Sequence, residues 1–105
     1  MIILAHCGNG YCGCDSEEVF FFNDAMDEAE IDEEILSWAR ENAESFAHVH
    51  FGWGESYTDE EYDDYLENYV DFDWHIASYE EYEEWCENWY YTPKTEEEIN
   101  DYLSA

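Results

Sequence analysis

Three cysteines, Cys7, Cys12 and Cys14, fall within eight residues in the stretch HCGNGYCGCD. Glycines at 8, 10 and 13 free the backbone for a tight turn that can aim several thiolates inward. A structural zinc takes four Cys or His ligands in a closed tetrahedron. Three are local here, so one must come from elsewhere. Cys86 would clip a later helix onto the N-terminal hairpin; His6, His48, His50 and His75 are its rivals. Cys86 also sits on an apolar stripe, where a buried inert thiol fits equally well. The plainer alternatives are free thiols, or one disulfide with a thiol left over. A nucleophilic thiol needs a cationic setting, and Arg40 and Lys94 are the two fixed cations of the chain.

The carboxylates are the other residues that could do something. Thirty Asp and Glu give a formal net charge of -28. A small domain is well solubilised by a net charge of roughly 2–8 in magnitude, and the excess repels itself in the folded state. Phosphates would be repelled too, which excludes free nucleic acid and anionic membranes as partners. Basic proteins and cations are the natural ligands. A compact chain of 12.6 kDa exposes on the order of 6,200 Å². That is roughly one net charge per 220 Å², about half the density on a DNA cylinder. Adaptation to a salt-loving host is the bland account of such a charge. No HExxH, G-x-S-x-G, P-loop or calcium-loop pattern is present, so no enzyme is expected.

These groups need a scaffold. The chain has 105 residues, enough for one domain, 1–105. Its 5 Trp, 10 Tyr and 6 Phe separate it from disordered acidic chains, which are poor in aromatics. IILA at 2–5, EEVFFF at 17–22 and FDWHIA at 72–77 read as strands, the first two forming a hairpin around the knuckle. FAHVHF at 46–51 alternates like a strand, with His48 and His50 on one face.

A helix is predicted from Asp27 or Glu28 to Glu44, with Ile31, Ile35, Trp38 and Ala39 at helical spacing. TDEEYDDYLENYV and SYEEYEEWCENWY are amphipathic helices opened by capping boxes, Thr58 with Glu61 and Ser78 with Glu81. Tyr82, Trp85, Cys86 and Trp89 form the apolar stripe of the second. Thr95 with Glu98 starts a last short helix. The expected class is α+β: a small, mainly antiparallel sheet with acidic amphipathic helices on one face and an N-terminal zinc-knuckle hairpin. No segment reads as a signal peptide or membrane span, so a cytoplasmic location is expected.

CGNGYCGCDSEEVFFF and SYEEYEEWCENW, in a small acidic and aromatic-rich chain, resemble small phage proteins. In style the whole chain looks like phage-encoded inhibitors of host defence, the anti-CRISPR proteins and other DNA mimics. That resemblance implies no particular fold. It implies binding to the basic, nucleic-acid-facing lobe of a type II RNA-guided effector nuclease in the bacterial host cell, and blocked DNA loading. The knuckle departs from a pure DNA mimic and points to docking on one basic domain. The expected contacts are Asp59, Glu60, Asp63, Asp64 and Glu67, then Glu80, Glu81, Glu83 and Glu84, with structural zinc on Cys7, Cys12, Cys14 and Cys86. Another basic target, such as a restriction enzyme, nucleoid protein or polymerase, and a small metal-binding protein are the alternatives.

Overall fold

A computed structural model describes residues 1–104. The chain runs β1 (Ile2–Gly8), β2 (Asp15–Phe21), α1 (Glu28–Ser45), α2 (Ala47–Phe51), α3 (Asp59–Asn68), β3 (Asp71–Ala77), α4 (Tyr79–Asn88) and α5 (Glu96–Ser104). The class is α+β, as expected, with one three-stranded antiparallel sheet in the order β2-β1-β3. Strand β1 is central, and its IILA run is buried because both of its faces are covered.

That corrects the expectation of helices on one face. Side chains alternate along a strand. Ile2 and Leu4 pack with Ala77, Tyr82, Cys86 and Ile99, so α4 and α5 cover their face. Ile3 and Ala5 pack with Ile31 and Ile35 of α1 on the other face. A single face of a three-stranded sheet is too small to bury the stripes of three helices. A third cluster, Ala43, Ala47 and Tyr65, joins the end of α1 to α2 and α3.

Residues 46–51 are the second correction: Ala47–Phe51 is helical. The alternation of that stretch is real, but Ala43, Ala47 and Phe51 also recur every four residues. Burying them against Tyr65 selects the helix. His48 and His50 therefore diverge. His48 lies against Trp53, with ring centroids 4.0 Å apart, while His50 stacks on Tyr65 at 4.7 Å.

The molecule is long for its size. Its radius of gyration is 16.1 Å and its extents are 48 × 29 × 20 Å. A compact chain of this length has a radius near ~13 Å. The accessible surface, 7221 Å², exceeds the compact expectation for the same reason. Among the described residues no helix is long and apolar enough to cross a membrane.

Candidate acidic docking surface

Helix α4 begins at Ser78, whose hydroxyl accepts from the Glu81 N–H at 3.2 Å. The other half of the expected capping box is not made. The Glu81 carboxylate turns to His75 Nε2 instead, at 2.6 Å, because β3 delivers that imidazole beside the first turn. The carboxylate's short hydrogen bond to the imidazole takes the place of its bond to the Ser78 N–H. Tyr82 and Cys86 face the sheet and are buried, and the Tyr82 hydroxyl accepts from the Lys94 N–H at 2.8 Å. This anchors the returning chain.

Opposite that stripe stand Glu80, Glu83, Glu84 and Glu87, at i, i+3, i+4 and i+7, hence on one face. They border a groove of ≈ 530 Å³ completed by Tyr91 and Pro93. On the far side of the helix a second groove, ≈ 330 Å³, is lined by His6, Glu17, Asp73, His75, Glu81 and Trp85, with Glu84 shared between the two. The strand register explains it. His6 lies opposite Glu17 and Asp73, and Leu4 opposite Val19 and His75, so this face turns from apolar to polar toward the knuckle. Helix α4 is thus a ridge between two grooves rich in carboxylates.

The ridge ends in aromatic residues. The Tyr91 N–H donates to the Cys86 carbonyl at 2.8 Å and the Tyr90 N–H to that of Glu87 at 3.3 Å. These are the two bonds of a Schellman motif, and Tyr91 stacks back on Trp85 at 5.7 Å, its usual apolar contact. The left-handed position of that motif normally holds Gly. Here Tyr90 occupies it with φ 60°, which costs about 1 kcal/mol relative to Gly. Tyr90 is 97% exposed, Tyr91 60% and Trp89 47%. The Trp89 Nε1–H donates to Glu17 at 2.9 Å. Trp89, expected on the buried stripe, has left it because the helix ends there.

The α3 carboxylates Asp59, Glu60, Asp63, Asp64 and Glu67 are all exposed, as are Glu80, Glu83 and Glu84, while Glu81 is half-buried beside His75. The two sets belong to different packing clusters, α3 to the one beyond the end of α1 and α4 to the sheet face. The α3 acids border neither α4 groove. The sequence reading missed Glu87, Glu17, Tyr90 and Tyr91. Glu87 was legible as the next turn of the acid stripe. The exposure of the two tyrosines was not, because it follows from where α4 stops.

The cysteines are not brought together as expected. Cys7 projects to the α1 side of the sheet, beside Cys14, Ala39 and Asn42. Cys86 packs with Ile2 and Leu4 on the opposite side. Among the described residues no group of three His, Cys, Asp or Glu is placed to hold a metal ion. The expected set of four cysteines therefore does not gather, and Cys86 is a core residue. Burial pushes the Cys7 thiol up to about 11, with Asp15 adding to the shift and a backbone hydrogen bond at Ser16 opposing it. That thiol is inert at neutral pH. Cys12 is exposed.

Other contacts hold the knuckle. Asn9 is buried; it donates to the Tyr65 hydroxyl at 3.1 Å and accepts from the Tyr11 N–H at 3.1 Å. The Tyr65 hydroxyl donates to the Ala43 carbonyl at 2.8 Å. The Tyr11 hydroxyl meets His50 Nδ1 at 3.0 Å, so the histidine that reaches the knuckle does so through a tyrosine. No family model matches the chain, and no curated protein and no solved structure matches it either.

Proposed function

We propose that this protein is an acidic ligand of a basic, nucleic-acid-binding protein, occupying the surface that would otherwise hold nucleic acid. The observation that carries the reading is the charge per length. A net charge of -28 along a 48 Å axis is about one charge per 1.7 Å, the linear density of duplex DNA. Shape sets this value: a compact molecule of the same charge would be shorter and carry more charge per length, and the elongation brings it down to that of the duplex. Acids stand on β2, α1, α3, β3, α4 and α5, so the field surrounds the molecule.

The two fixed cations do not form a basic patch. Arg40 lies in a groove with Glu33, Glu41 and Glu44, and Lys94 sits over the Tyr102 ring. Such a field speeds association with a basic partner and displaces phosphate by competition for the same cations. It acts by occupancy, without catalysis. The class-level resemblance makes a type II RNA-guided effector nuclease the first target in this proposal. A structural zinc on the knuckle is a separate proposal that the reading does not need.

The test is a duplex-binding assay. Guide-loaded effector is mixed with the protein before labelled target duplex is added. We expect the shifted band to disappear at near-stoichiometric protein, and to survive when duplex is added first. Inhibition weakens with added salt. Neutralising Asp59, Glu60, Asp63, Asp64 and Glu67 together should lower inhibition and flatten that salt dependence. A normal band and normal cleavage at excess protein would eliminate this target; full inhibition by the neutralised variant would eliminate charge mimicry.

A further inference from the structure

We infer that the α4 ridge is the specific part of the contact, and that it receives an arginine-bearing basic segment, with a guanidinium stacked on the aromatic end of the helix. The inference rests on the proposed function and deepens it. A uniform acidic field attracts any polycation, whereas this ridge has features that plain charge does not require.

The first is Tyr90. A Schellman motif favours Gly at its left-handed position, yet here that position carries an aromatic side chain left almost fully in solvent. Nothing in the fold uses the ring. The second is the set of aromatic residues around it in the chain. Tyr91 stacks on Trp85, Trp89 lies tilted against the same Trp85 ring, and Glu17 holds the Trp89 indole. An ordered aromatic surface loses little entropy on binding, which suits an interface anchor. The third is the acid stripe of Glu80, Glu83, Glu84 and Glu87, which leads along one groove to Tyr91.

Charge complementarity decides the occupant. Aromatic faces at the end of a carboxylate-lined groove attract a cation that is also flat and weakly hydrated. Guanidinium has those properties; an ammonium is a compact, strongly hydrated point charge. Glu83 and Glu87 are neighbours on the helix face and can accept its paired N–H groups. The chain shows a related contact internally, with Lys94 Nζ 5.6 Å from the centroid of the Tyr102 ring.

The probes are nona-arginine and nona-lysine peptides, titrated calorimetrically against the full chain at moderate salt. Cation–π contacts of this kind are worth roughly 2- to 30-fold in affinity. The wild-type chain should therefore prefer the arginine peptide by at least a few-fold. Tyr90→Gly should bring that preference close to parity while raising the denaturant midpoint, since Gly suits the backbone there. Glu83→Gln with Glu87→Gln should weaken both peptides. Equal affinity for the two peptides in the wild-type chain overturns the inference, and so does an arginine preference that Tyr90→Gly leaves intact. The duplex assay is read separately. Loss of arginine preference with full competition against duplex leaves the mimic standing and removes the ridge; the converse leaves an arginine-binding ridge on a protein that does not mimic DNA.

Discussion

Helices α3 and α4 are written on nearly the same template, twenty positions apart. TDEEYDDYLEN and SYEEYEEWCEN share a cap residue that accepts from the third N–H, an EEY segment, paired acids and a closing EN. Their environments make different objects of them. In α3 the complete capping box forms, and Tyr65 is buried at the centre of an aromatic cluster that also ties down the knuckle. The chain then passes from Tyr69 through Val70 directly into β3. In α4 the box opens because Glu81 answers His75, Trp85 is only half-buried, and the chain reverses through Tyr90 in a left-handed turn. Tyr65 of α3 is fully buried, whereas Trp85 at the equivalent position of α4 stays partly in water and the aromatic residues that follow α4 are exposed. Equal charge therefore does not mean equal role.

The largest test of that difference is stability. Tyr65→Ala should cost about 3–5 kcal/mol, the range for deleting a buried aromatic. In a chain this small that is enough to unfold much of the population. Trp85→Ala, at the equivalent position of α4, should cost less, about 1–2 kcal/mol, because its ring is already partly in water. Urea midpoints decide it, and equal losses would erase the distinction between a packing helix and a presenting one.

Alkaline pH is a smaller lever. The Cys7 thiol is raised in the folded state to about 11, from 9.0. Above pH 9 the unfolded chain releases this proton while the folded chain holds it. Its contribution is complete below pH 9 and is lost as pH rises through about 11. Burial also raises the tyrosines Tyr65 and Tyr82, which adds loss of the same sign above pH 10. We expect the urea midpoint to fall from pH 8.5 to 11, and Cys7→Ala to flatten that fall. An unchanged slope in the variant would place the alkaline sensitivity in the tyrosines of both regions.

The smallest effect concerns the thiols. At neutral pH an alkylating reagent should label Cys12 quickly and Cys7, Cys14 and Cys86 slowly, because those three are buried. Added zinc should leave the Cys12 rate unchanged. Slowing of Cys12 by stoichiometric zinc would show that the knuckle gathers a metal after all, without Cys86.

The sequence by itself determined a good deal. The apolar run of β1, the short strand of β3, the four helix starts at Asp27, Thr58, Ser78 and Thr95, and the acid stripes were legible because they depend on neighbours within a few residues. The charge is a property of composition alone. Tertiary structure decided the rest. It turned 47–51 into a helix, because burying Ala47 and Phe51 against Tyr65 outweighs a local alternation that found no strand to pair with. It put Cys7 and Cys86 on opposite faces of the sheet, since strand parity and helix placement are settled by packing and not by cysteine spacing. It also stretched the molecule to 48 Å, and so brought a charge of -28 to the linear density of DNA. Local pattern specifies which side chains share a face; only the assembled core specifies what that face meets.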